Sequence, residues 1–196
     1  MEKSKALGLL HSKMQCPNLR KHCYSVAAVM RSLAKHLNPG VEGKADGREL
    51  VERWEVVGLL HDGDYEFTKE DPGNHAKLMG QWVRDLGETD EELITGIESH
   101  GWFHEGKKPE TKMQWSLFCC DELTGLIVAV TLVRPTKKLA DVTVENILDK
   151  WNAKSFAAGV KREDIEHCEK ELGIKLPEFI QIALRAMQDI SSELGL

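Results

Sequence analysis

The feature that most constrains this chain is the spacing of its apolar residues, which recur three and four apart along most of its length and almost never alternate. That rhythm places apolar side chains on one face of an α-helix, whereas strands need a period of two. The pattern predicts helices over 3–13, over 19–37 with Asn18 as N-cap, and over 47–61. Asn38-Pro39-Gly40 stops the second of these, and GDYEFTKEDPGN after the third reads as loop. Asn74 is expected to cap a helix over 75–86. Thr89 stands three residues before Glu92, the spacing of a capping box, and opens a helix to about His100. GWFHEGKKPE is expected to be loop. A long helix then runs over about 111–131, and LIVAVTLV at its end continues the helical pattern without a turn signal. Beyond Pro135 the spacing predicts two short helices before 162, one over 162–172 ended by Gly173, and a last one over 177–194. The expected fold is all-α: a helical core over 1–133 and a C-terminal helical extension over 134–196 packed on the same domain.

Composition bounds the partners. With 26 basic and 32 acidic residues the net charge is −6, which argues against bulk nucleic-acid binding. No apolar run reaches the roughly 18 residues of a membrane helix, and the mixed N-terminal segment lacks the features of a signal peptide. No membrane partner is expected. Five cysteines, an odd number and without CxxC spacing, fit neither a disulfide framework nor a cysteine zinc site. A reducing, cytoplasmic setting is the expectation. Charge is uneven along the chain: residues 134–162 hold seven Lys/Arg and three acids, a local +4. Arg134, Lys137, Lys138, Lys154, Lys161 and Arg162 are therefore candidates for meeting a substrate phosphate, against the plainer reading of a solvated basic face.

The chemistry lies in the order of histidines and aspartates. His22 falls on the second helix, His61-Asp62 at the end of the third, His75 and His100 on the next two, and Asp121 inside the long one. Imidazole nitrogens and carboxylate oxygens suit Zn, Mn, Fe, Co or Ni, and Mg where carboxylates dominate. Helical bundles build such sites from side chains projecting inward. Asp121 sits among Cys119, Cys120 and Leu123, where a carboxylate needs a cation, a salt bridge or a capping role. His61-Asp62 alone is only a dipeptide; six candidate donors in this order are more specific. Asp64 and Glu66 are candidates for general base or for orienting a ligand. His104 is either a substrate contact or a surface histidine. His11, His36 and His167 have no partner in the pattern, and Cys119-Cys120 reads as core packing.

GLLHDGDYE resembles the HD motif of the HD superfamily of metal-dependent phosphohydrolases, with His22 and Asp121 matching its first and last ligands. DELTGLIVAVTLVRPTKKLADV and KSFAAGVKRE resemble a bacterial subfamily of that superfamily without an assigned substrate, and the likeness covers about residues 18–190. The resemblance implies that His22, His61, Asp62 and Asp121 bind a first metal. His75 and His100 match the extra histidines of dinuclear members, with Asp62 then bridging two ions. The chain departs from the pattern in its short gap between Asp62 and His75, and in Gly63-Asp64 where many relatives carry Ile-Gly. The implied activity is hydrolysis, by metal-activated water, of a nucleotide-like small-molecule phosphomonoester or phosphodiester. A di-iron oxygenase, as in myo-inositol oxygenase, and a non-catalytic nucleotide-binding module are the alternatives. Substrate, metal and oligomeric state are left open.

Overall fold

The computed structural model describes residues 1–41 and 44–196, and among these there are helices and turns but no strand. The helices are α1 (Lys3–Lys13), α2 (Pro17–Leu37), α3 (Ala45–Leu60), α4 (Tyr65–Thr68), α5 (Lys77–Asp85), α6 (Glu91–Glu98), α7 (Lys112–Leu132), α8 (Val144–Leu148), α9 (Arg162–His167), α10 (Leu176–Asp189) and α11 (Ser191–Leu194). The all-α expectation holds, including LIVAVTLV as the end of α7.

α2 lies at the centre, packed against α3, α7, α10 and α11. Its apolar stripe, with Val26, Met30 and Leu33 fully buried, explains why: each such side chain contributes roughly 1.5–3 kcal/mol when removed from water. α10 adds Phe179, Ile180 and Ala183 to the same continuous cluster, so the C-terminal helices share one core with the rest. α7 is apolar on nearly every face, and a helix of that kind is buried. With a mean hydropathy of 1.5 it is long and apolar enough to cross a membrane, where no such run was expected. In this fold most of that stretch is interior, between α2, α9 and α10.

Several helix starts differ from the spacing-based expectation, each for a local reason. α2 begins at Pro17, whose ring sets the backbone for a first helical turn, so Asn18 is inside the helix and caps nothing. Asp90, not Thr89, caps α6, its carboxylate accepting from the Glu92 and Leu93 amides at 3.1 and 3.2 Å. α7 opens on a capping box that the sequence spells as Thr111-x-x-Gln114. α5 starts two residues late. Asn74 closes a 3-10 turn (Pro72–Asn74), His75 stands outside the helix, and Ala76 takes a left-handed φ of 65°. His100, expected at the end of a helix, likewise falls outside α6, in a 3-10 stretch (Ser99–Glu105) that runs on into the segment expected to be loop.

Candidate metal centre

Three long helices bring donors to one place. α2 carries His22. α3 ends against α2, where Gly58 lets the two backbones meet: a Cβ there would stand 3.0 Å from Ala27 main-chain atoms. That close approach sets His61 and Asp62, just past α3, beside His22. Asp121 arrives from the middle of α7. His22 Nε2 lies 2.8 Å from Asp121 Oδ1, 3.3 Å from His61 Nε2 and 3.7 Å from Asp62 Oδ2. His61 Nε2 lies 3.5 Å from Asp121 Oδ1 and 3.8 Å from Asp62 Oδ2.

The two out-of-helix histidines complete the cluster from the other side. His75 Nε2 and His100 Nε2 approach Asp62 Oδ1 at 3.1 and 3.2 Å. The carboxylate of Asp62 is thus divided, Oδ2 facing His22 and His61 and Oδ1 facing His75 and His100. His22/His61/Asp62, His61/His100/Asp121 and Asp62/His75/His100 are each groups whose donor atoms lie within 4.8 Å of one another. Donors that share one ion through bonds near ~2.1 Å stand about 3–3.5 Å apart. The separations here, from 2.8 to 3.8 Å, bracket that range.

Neighbouring groups hold the rings of His22, His61 and His75 with Nε2 inward. The Nδ1–H of His61, a fully buried ring, donates to the Gly58 carbonyl at 2.8 Å, which leaves Nε2 as the lone-pair nitrogen of the neutral ring. Thr124 donates its hydroxyl proton to the Asp121 carbonyl at 2.8 Å, so its oxygen can accept from His22 Nδ1 at 3.4 Å. Asp64, wholly buried, accepts from His75 Nδ1–H at 2.9 Å and from the Met79 amide at 2.9 Å. A carboxylate behind a histidine is the usual way a metal-binding ring is oriented and made more basic. Gly101 supplies room, since a Cβ there would come within 2.2 Å of the His75 carbonyl oxygen.

These tautomers aim lone pairs at lone pairs, and only added positive charge relieves that. Without a metal, protons must supply it. Burial by itself would lower the His22 imidazole, but its bond to Asp121 and the charges of Asp121 and Asp62 outweigh this and raise it to about 9. His75 is likewise raised to about 9, burial being overcome by Asp62 and Asp64. Burial would raise Asp62 and Asp121, yet the surrounding histidines hold both well below the ordinary carboxylate range. A cluster that gathers protons this strongly is one that a divalent cation fits, because the ion replaces them.

A cleft of about 520 Å³ opens onto Asp62, His75, His100 and Asp121. Of the other residues singled out in the sequence, His104 lines this cleft and so does Lys161. Glu66 does not: its two oxygens accept from the Gln15 and Cys16 amides at 2.8 Å each, tying α4 to the α1–α2 turn. Asp64 stands behind His75 rather than facing the cleft. Arg134, Lys137 and Lys138 are not brought to it either. They follow the end of α7 at Leu132, and the axis from Asp121 to that end spans about 16 Å at 1.5 Å per residue. Lys154 lines a neighbouring groove. Sequence reasoning missed Lys69, which lay in presumed loop, and Thr124, whose signal was its position one helical turn after Asp121. No family model, no curated protein and no solved structure matches this chain, so what it does has to be read from the cluster of histidines and aspartates itself.

Proposed function

We propose that the chain is an HD-type, metal-dependent phosphohydrolase that holds two divalent ions, bridged by Asp62, and cleaves a small phosphomonoester or phosphodiester. The observation that carries this reading is the division of the Asp62 carboxylate between two sets of imidazoles at the floor of an open cleft. His22, His61, Asp62 and Asp121 would hold one ion, and Asp62, His75 and His100 the other. When bound, such ions supply an activated water near neutral pH and polarise a phosphoryl oxygen.

The chain's own residues supply the rest. Lys69 and Lys161 give the cleft wall positive charge for a phosphate. His104 is lowered from the usual histidine value by slight desolvation and by the charges of His75, His100, Lys161 and Lys77. At neutral pH its ring is uncharged and can donate one N–H to a phosphoryl or leaving-group oxygen. Tyr65 and Phe103, both exposed at the cleft, offer flat apolar faces, which favours a nucleotide-like body on the ester. Asp64 orients His75 and takes no part in proton transfer. All five cysteines are free thiols, which supports a reducing, cytoplasmic setting.

The test is metal analysis of protein purified without chelator, together with a panel of phosphomonoesters and phosphodiesters. Two equivalents of metal and metal-dependent phosphate release are expected. Iron with oxygen uptake and no phosphate release would establish oxygenase chemistry instead, and metal without any turnover would leave a binding module.

A further inference from the structure

Beside the metal cleft a second hollow opens, and Lys161 belongs to both. It lines the cleft together with Asp62 and Asp121, and it also lines a groove of about 390 Å³ with Trp151, Lys154 and Arg162. The groove is shaped by the turn 153–160, in which Ala157 adopts a left-handed φ of 47°. A non-glycine residue takes that conformation only where its surroundings impose it. Here Arg162 imposes it. Its Nη1 donates to the carbonyls of Ala157 at 2.8 Å and Val160 at 2.9 Å, and its Nη2 to that of Phe156 at 2.5 Å.

Those partners are neutral, so the guanidinium keeps its whole charge, and its Nε is buried without a partner. Lys154 is exposed. Lys161 places its ammonium 5.2 Å from the Phe103 ring centroid, at the cleft side. Among the described residues, no carboxylate lies within 4.0 Å of the side-chain nitrogens of Lys154, Lys161 or Arg162, although Glu122 accepts from the Lys161 main-chain amide at 3.2 Å. Two acids share the groove. Glu166 accepts from the Trp151 indole N–H at 3.1 Å and so fixes that ring as a wall, and Glu163 is exposed. Three cations, one of them locked in place, thus run on from the metal cleft along a chain that is acidic overall.

We propose that this groove is a second anion-binding subsite, joined to the metal cleft through Lys161, which takes a phosphate of the substrate other than the one attacked. The inference rests on the phosphohydrolase reading and narrows it: the substrate class becomes small esters with two separated phosphate groups. Binding energy drawn from the distant phosphate then positions the reacting one at the cleft floor. Neither Arg134, Lys137 nor Lys138 takes part.

The probes are alkane-α,ω-bisphosphonates of increasing length, each compared with the alkylphosphonate of the same carbon number, titrated into the full-length, Mn²⁺-loaded chain. Their C–P bonds resist hydrolysis, so affinity is read without turnover. Over one span of lengths the bisphosphonate should bind about tenfold tighter than its partner, the worth of one charge-assisted contact, with a maximum where the linker matches the spacing of the sites. That ratio should fall to about two, the statistical factor for two equivalent ends, in Lys154→Ala. It should persist in Lys170→Ala, which removes the same charge from a surface lysine paired with Glu171. A wild-type ratio of about two at every length, the statistical factor alone, overturns the proposal. So does a tenfold ratio that survives Lys154→Ala. Metal content is measured in the same samples. A chain that binds no metal defeats the phosphohydrolase reading, whereas a metal-loaded chain that releases phosphate but shows no length-dependent gain defeats only the subsite.

Discussion

The two halves of the centre are built differently. His22, His61 and Asp121 come from long helices or their immediate ends, and the packing of α2, α3 and α7 places them. His75 and His100 come from places where helices have been interrupted, a left-handed residue after one and a 3-10 stretch around the other. The first set is held by the hydrophobic core. The second is held by a few polar contacts, above all Asp64, and by the space at Gly101. A donor fixed by the core moves only if the fold moves, whereas a donor fixed by a turn can shift alone. The helix-borne half should therefore keep its ion under insults that empty the other.

Asp62 is the one residue both halves share, and its loss should have the largest effect. Asp62→Ala is expected to reduce bound metal from two equivalents to none and to abolish phosphate release, with helical content by circular dichroism unchanged. Retention of one full equivalent would mean that the carboxylate does not bridge. Asp64→Asn separates the halves. The amide oxygen can still accept from Met79, but the negative charge behind His75 is gone. Loss of such an outer partner typically costs about 10–100-fold in metal affinity. Competition titrations should show that loss for one of two ions. Equal weakening of both would erase the distinction between the halves.

The same division explains what could be read from the residues alone. The helix-borne donors sit in strong apolar periodicities, so the order His22, His61-Asp62, Asp121 was legible as one donor group per helix, and so was the all-helical class. The turn-borne donors were seen as histidines but given to the wrong local structure. His75 reads as the first residue of a capped helix because nothing in Asn74-His75-Ala76 signals the left-handed φ that Ala76 adopts. Glu66 and the lysines after α7 failed for another reason. Adjacency in sequence suggested adjacency to the metal, yet Glu66 turns toward the α1–α2 amides and the lysines leave at the far end of a 21-residue helix. Lys161 is close to the centre because α9 packs back on α7, a pairing that no local pattern announces.

Protonation probes both halves at once, since each holds one histidine raised to about 9, His22 in one and His75 in the other. A histidine whose folded value exceeds its unfolded value of about 6.5 stabilises the fold fully below that value. The contribution is lost as pH rises through 9. Asp62 and Asp121 act in the opposite sense: their contribution is present above the ordinary carboxylate range and is lost as pH falls through their depressed values. Metal-free protein should therefore melt at progressively lower temperature between pH 6.5 and 9.5, by scanning fluorimetry with chelator present. Metal-loaded protein should not, because the cations have replaced those protons, and loading at pH 7 should release protons into a weakly buffered solution. A flat metal-free profile would show that the histidines carry no extra proton.

The smallest effect tests the best-protected part. Thr124 touches only the helix-borne half, accepting from His22 Nδ1 at 3.4 Å while donating to the Asp121 carbonyl. Thr124→Val keeps the shape and removes both bonds. His22 is also steered by the packing of α2, so the lost acceptor should weaken the first ion by about tenfold, the low end for an outer partner. The second ion should be untouched, because His75 and His100 do not depend on Thr124. The two affinities are resolved by competition with a chromophoric chelator. If Thr124→Val weakened the first ion by about 100-fold, the high end for an outer partner, core packing would not be what holds His22. Both halves of the centre would then rest on polar contacts alone.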